Sequence, residues 1–241
     1  MLHSRAAAAA PDRPLVALLR AGLRVVQIDC APPAGTDARP GLVARAVVGD
    51  ALEGLKQFEA ATAAATATAE EEEEAAAAQP QAASGSGAAA KAAPAAPVAV
   101  MGVGLGGFLA LNAVGWSDRF AAAICQGGAV SERWRDYETG VTPGPARHSE
   151  ATLAGAAAAS EAELLARLGS SRTPTLLLYG DSDPRLPISH AHVAYHALSA
   201  TSAPSQLVVY PSDTHELRVA AHRRDATRRV VAWLLQHLKA S

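Results

Sequence analysis

Short apolar runs alternate along this chain with stretches in which apolar residues recur every three or four positions. The runs are "GLRVVQIDC" (22–30), "PVAVMG" (97–102), "FAAAICQGG" (120–128), "PTLLLYGD" (174–181) and "QLVVYP" (206–211). Each is bounded by Gly, Pro or Asp and is apolar at odd and even positions alike, as strands buried on both faces are. Helical spacing predicts helices over 12–21, 42–58, 105–116, 160–168, 188–200 and 220–238. Ser160-Glu161-Ala162-Glu163 reads as a capping box that starts one of them. Val230, Val231, Leu234, Leu235 and Leu238 give the last one a buried face. Strands alternating with helices imply an α/β fold, a doubly wound parallel sheet covered on both sides.

One segment breaks the alternation. From Glu59 to Pro97 the chain is almost entirely Ala, Thr, Glu, Gln, Ser, Gly and Pro, with five glutamates in a row at Glu70 to Glu74. It has no large apolar side chain to offset the entropy of ordering. The alanines and glutamates favour at most a transient helix. The expectation is a disordered insertion at 59–97 within a single domain spanning 1–241, carrying no chemistry of its own.

Composition narrows the function classes. The chain has 241 residues and a formal charge of −2, which gives no reason to expect nucleic acid or an anionic membrane as partner. Its two cysteines, Cys30 and Cys125, end apolar runs and read as small buried hydrophobes. No apolar stretch reaches the roughly 20 residues of a membrane span. The opening "MLHSRAAAAAPDRP" lacks the apolar core of a signal peptide, so a cytoplasmic location is expected. His192 and His196, four apart beside His190, have zinc-compatible spacing but no third ligand, so no metal is expected. "HRRDATRR" (222–229) reads as a solvated basic face rather than a nucleic-acid patch.

The chemistry turns on "VAVMGVGLGGFLALN" (98–112). Gly102, Gly104 and Gly107 spell G-x-G-x-x-G after a strand, as a dinucleotide-binding turn does. The same residues spell a nucleophile elbow, G-x-S-x-G-G, with glycine in place of serine. A dinucleotide fold needs an acid at the end of the next strand to hold the ribose, and Cys125-Gln126-Gly127-Gly128 offers none. A hydrolase needs an acid and a histidine after later strands, in that order. "TPTLLLYGDSDPRLP" supplies Asp183, and "LVVYPSDTHEL" supplies His215. The hydrolase reading is the better supported, and no cofactor is expected.

These last two segments, with Trp233-Leu234-Leu235-Gln236-His237-Leu238 at the end of the terminal helix, resemble the prolyl-oligopeptidase and acylaminoacyl-peptidase family of serine peptidases. "WSDRFAAAICQGG" and "RWRDYETG" (133–140) resemble the same family. The resemblance covers roughly 12–58 and 97–238. It implies an α/β-hydrolase fold and peptidase or esterase chemistry, with His215 as general base, Asp183 orienting it and the nucleophile at position 104. The backbone N–H of Leu105 would be one oxyanion donor.

Position 104, however, is glycine. The elbow forces its central residue to positive φ, which glycine adopts with little strain, so the turn survives without a hydroxyl. Ser182 and Cys125 are the candidate substitutes; neither is expected to face the elbow. The resemblance also places a strand and an oxyanion loop, with a tyrosine donor, before the helix at 12–21. Both are expected to be missing, leaving "GLRVVQID" and "PVAVMG" to pair directly or leave a gap. The function expected is that of a degenerate serine-peptidase domain whose former cleft takes short peptides or a protein partner.

Overall fold

The computed structural model describes residues 2–3, 13–26, 28–29, 40–77, 96–131 and 150–238. Packing divides the chain into two units, 1–48 with 97–241 and, separately, 49–96. The second unit takes in most of the segment read as an insertion, but it begins earlier, at Gly49.

The first unit is built on one six-stranded sheet. Its strands are β1 (Leu2–His3), β2 (Ile28–Asp29), β3 (Val98–Val103), β4 (Phe120–Gln126), β5 (Thr175–Gly180) and β6 (Ser205–Tyr210), in spatial order β2-β1-β3-β4-β5-β6. All neighbours are parallel. Leu176, Leu177 and Leu178 are fully buried, as a central strand between two helical layers requires. The α/β-hydrolase-like fold expected from the sequence is present.

Helices cover both faces. On one side lie α1 (Arg13–Arg20) and the C-terminal α6 (Ala220–Leu238). Leu18 from the first and Val230 and Leu234 from the second join Ala122, Ile124, Leu176 and Leu178 in a single cluster. The opposite face carries α3 (Leu105–Trp116), α4 (Glu150–Leu168) and α5 (Ser189–Ser199). Helix α3 is buried from Gly106 to Val114, so its apolar residues show no single stripe.

Three expectations need correction. The strand expected to be missing is present: Leu2 pairs with both Ile28 and Gly102, so β1 fills the gap between β2 and β3. Two residues are too few to leave a periodic signal, yet they pair with both neighbours, with Ile28 and Asp29 of β2 and with Gly102 of β3. The connection 4–12, where the oxyanion loop would follow, lies outside the described residues. Helix α4 starts at Glu150, so Ser160 is interior and caps nothing. The alanine-rich turns before it propagate a helix without a break.

The third correction concerns the low-complexity segment. Helix α2 runs from Pro40 to Ala77, well past the predicted end at 58. Residues 59–77 are therefore helical, while 78–95 lie outside the described residues. Nucleation is the costly step of helix formation, and a helix already nucleated upstream extends cheaply through Ala and Glu. Within the second unit Glu53 and Lys56 pair across one turn at 3.3 Å, and the Thr62 hydroxyl donates to the Phe58 carbonyl.

Two glycines separate the roles that glycine plays here. A Cβ on Gly102 would stand 1.9 Å from the Gly106 carbonyl oxygen, because α3 begins directly against β3. Gly54, inside α2, has open space around its Cβ position. Gly102→Ala should therefore destabilise by about 1–3 kcal/mol or more, since backbone must move. Gly54→Ala should stabilise by about 0.5–1 kcal/mol. Urea unfolding of both variants checks the opposite signs.

Candidate functional site

Three turns meet at the carboxyl edge of the sheet. The first joins β3 to α3 through Gly104, which has φ 57 and ψ −118 and caps the helix. Its N–H donates to the Gln126 carbonyl (2.9 Å), which fastens the turn to the end of β4. A residue so placed projects its Cβ from the top of the sheet, the geometry of a nucleophile elbow. Leu105 follows as the first residue of α3, so its N–H has no acceptor within the helix.

The second turn, after β5, carries Asp183. Its Oδ1 accepts the N–H groups of Arg185 (2.8 Å) and Leu186 (3.1 Å), and its side chain is 2% exposed. Oδ2 faces His215 Nδ1 at 2.6 Å, from the third turn after β6. Burial alone would raise the Asp183 carboxyl. The His215 hydrogen bond, the two backbone donors and the imidazole's charge outweigh it and hold the acid below its usual 3.8. The carboxylate accepts the Nδ1–H of His215, which leaves Nε2 facing the Gly104 turn.

The His215 ring lies between two glycines. A Cβ on Gly104 would stand 2.9 Å from Nε2, and one on Gly127 would stand 3.0 Å from Cε1 and 3.1 Å from Nδ1. Gly127 has φ 56, and its N–H donates to the Leu178 carbonyl. The structure thus brings Gly104, Leu105, Asp183 and His215 together. Gly104, Leu105 and His215 line a small cleft with Gly127, Ala129, Arg185 and Leu186, and Asp183 reaches it through the His215 ring.

Neither substitute nucleophile reaches this point. The Ser182 hydroxyl donates to Asp181 Oδ1 (2.9 Å). Cys125 is fully buried with its Sγ 3.5 Å from the Tyr179 hydroxyl, which donates to the Gly128 carbonyl. Burial pushes the Cys125 thiol up to about 11, against smaller lowering effects of the Tyr179 hydroxyl and the Gly128 backbone on the sulfur, so it stays protonated and inert. Cys30 and "RWRDYETG" lie outside the described residues.

The dinucleotide reading finds no support. The space over the glycine turn, where a pyrophosphate would sit, holds the His215 ring, and β4 ends in Gln126. Of the other histidines, His190 accepts the Val130 N–H through Nδ1 (3.3 Å), and burial lowers its pKa despite the opposing charge of Glu161. His192 and His196 are exposed on α5. Among the described residues no group of three or more His, Cys, Asp or Glu could hold a metal, and no helix is long and apolar enough to cross a membrane.

Sequence reasoning missed Asp213. Its side chain, 1% exposed, accepts the N–H groups of Thr214 (2.8 Å) and Arg218 (2.7 Å) on Oδ1, and those of Val219 (3.2 Å) and His222 Nδ1 (2.9 Å) on Oδ2. Its carbonyl also accepts the Ser182 N–H (3.0 Å), joining the acid turn to the histidine turn. Burial pushes its carboxyl up, but the Thr214 N–H, His222 and the two further donors hold it below 3.8. In "YPSDTHEL" an aspartate two residues before a histidine carries no signal of this role. Gly127 reads in the sequence only as the end of a strand.

Lowered carboxyl pKa values make stability depend on acid. The contributions of Asp183 and Asp213 are complete above about pH 4 and fade as the pH falls through their folded-state values. Asp213→Asn should remove part of this acid limb and cost about 1–3 kcal/mol for each N–H left without an acceptor. Thermal unfolding of variant and parent across the acid range measures both.

Comparison with known proteins agrees with this geometry. A 67-residue stretch is 39% identical to the acylamino-acid-releasing enzyme of Mus musculus, taking in 28% of this chain and 9% of that enzyme. The chain therefore matches only a small share of that relative's length. In fold it resembles an esterase of Pyrococcus furiosus, with a TM-score of 0.61 over 94% of this chain and 76% of the esterase at 14% identity. A puromycin hydrolase superposes with a TM-score of 0.50 and 20% identity, over 61% of this chain and 23% of that one. Residues 82–241, which contain the elbow turn and the Asp183–His215 pair, match the prolyl oligopeptidase family. With that match over the larger part of its length, the chain belongs to the prolyl oligopeptidase family, as a serine peptidase/hydrolase domain of α/β-hydrolase fold.

Proposed function

We propose that this domain keeps the binding cleft and the base–acid pair of its family but has lost covalent catalysis. The observation that carries this is Gly104: it holds the elbow conformation at φ 57, faces His215 Nε2, and has no hydroxyl to activate. A triad acts as a unit, so His215 and Asp183 without a nucleophile form no acyl-enzyme. The cleft then serves to bind short peptides or a segment of a protein partner. Nucleic acid and membrane are not expected as partners. Arg229 and Arg228 on α6 are engaged by Asp225, and Arg223 donates to the Arg218 carbonyl. The working location is the cytoplasm.

Two measurements test this reading. The unmodified protein should not label with a serine-directed fluorophosphonate; a labelled residue mapped anywhere in the cleft sinks it. Gly104→Ser should restore a hydroxyl at a cost of about 1–3 kcal/mol for the strained turn. It must also displace the imidazole, because its Cβ would stand 2.9 Å from Nε2. Leu105 N–H supplies one oxyanion donor, and residues 4–12 ("SRAAAAAPD") contain no tyrosine to supply a second. One missing donor slows acyl transfer by about 10²–10³-fold. The variant should therefore label slowly and turn over peptides hardly at all. Turnover at an ordinary serine-peptidase rate would show a complete oxyanion hole.

A further inference from the structure

We propose that His190 is a positioning residue of this cleft: its unprotonated Nδ1 holds the loop after β4, so the wall beside His215 is fixed at neutral pH and released in acid. The proposal rests on the proposed function only in taking the cleft as the binding site. It holds whether or not position 104 can attack.

The loop is residues 127–131, all of them buried. Gly127 lies against the His215 ring and lines the cleft together with Ala129. Hydrogen bonds fasten the loop at three places among the described residues. The Gly127 N–H donates to the Leu178 carbonyl (3.0 Å), and the Tyr179 hydroxyl donates to the Gly128 carbonyl. Both of these partners belong to β5. The Val130 N–H donates to His190 Nδ1 (3.3 Å), which comes from α5. The far end of the loop is thus held from a helix rather than from the sheet.

These fastenings differ in how they meet a proton. A backbone carbonyl does not titrate near neutrality, and burial, then the neighbouring Cys125, raises the Tyr179 hydroxyl well above its usual 10. His190 is different. A backbone N–H can only donate, so Nδ1 must offer it a lone pair. A proton on Nδ1 sets two donors face to face and leaves the N–H of Val130, a residue 2% exposed, without its acceptor.

Burial lowers the His190 pKa, and the charge of Glu161 on α4 opposes it. Residues 127–131 carry no charged side chain. Asp183 and Arg185, in the turn after β5, are engaged by His215 and Glu216, and His192 and His196 on α5 are exposed. With the folded value below the usual 6.5, the unfolded chain takes up the proton first. The contribution of this bond is therefore whole above pH 6.5 and fades as the pH falls through the folded value.

The test follows hydrogen exchange of the Val130 amide in the full chain by NMR, from about pH 8 to about pH 5, each rate divided by the intrinsic rate at that pH. Protection should fall about tenfold across this range as the acceptor is lost. The amides of Leu176, Leu177 and Leu178 in β5 should keep theirs. His190→Asn places an uncharged oxygen near the position of Nδ1 and should retain the protection without the pH step. His190→Leu offers no acceptor and should be weakly protected at every pH. His192→Asn, exposed on the same helix, should retain the step. Far-UV circular dichroism establishes folding, and if the leucine variant does not fold, the parent and the asparagine variant decide. A parent without a step, a step shared by β5, a step that persists in His190→Asn, or a folded His190→Leu as protected as the parent overturns the proposal. Exchange is read without substrate, so its failure leaves the nucleophile-less reading standing, and fluorophosphonate labelling leaves this proposal standing.

Discussion

The seat of the His215 ring between two glycines is the constraint from which the rest of this site follows. Gly104 and Gly127 end neighbouring strands, both have positive φ, and neither has a side chain where the imidazole lies. A Cβ at either position would come within about 3 Å of the ring. The parallel register of β3 with β4, in which Val103 lies opposite Gln126, brings these two turns side by side. Sheet pairing thus builds the slot, and the two later turns deliver an acid and a base into it.

Delivery depends on a second buried carboxylate. Asp213 gathers the donors of its own turn and, through its carbonyl, holds Ser182 of the neighbouring turn. The 2.6 Å contact between Asp183 and His215 is therefore a consequence of how two loops are tied to each other at another point. None of these bonds involves position 104. The base–acid pair stands because the loops fold, whether or not anything attacks.

Much of this is legible in the sequence, for identifiable reasons. Strands β3 to β6 announce themselves because they are apolar on both faces and bounded by turn residues. Asp183 and His215 follow from their order after the last two strands together with the family resemblance, since spacing alone assigns neither. The glycine turn is ambiguous by itself, and the missing acid after β4 decides it. What stays hidden has physical causes. A two-residue strand has no periodicity. The extension of α2 depends on a nucleus upstream rather than on the residues extended through. The starting point of α4 is obscured because Ser160, a good capping residue, sits inside a run that needs no cap. Asp213 and Gly127 act through backbone and shape, which no local pattern encodes.

The positive φ at position 104 makes the turn respond unequally to substitution. For any residue with a Cβ, that conformation is a standing strain, tolerated only while the hydroxyl at its tip is useful. With glycine there is no such strain, and the histidine ring lies against the place a Cβ would take. The acid, the base and the slot then stand on contacts that position 104 does not make, while any side chain added at 104 meets the ring. An intact Asp–His pair in such a turn records how the loops are held together, and by itself does not measure whether anything is catalysed beside it.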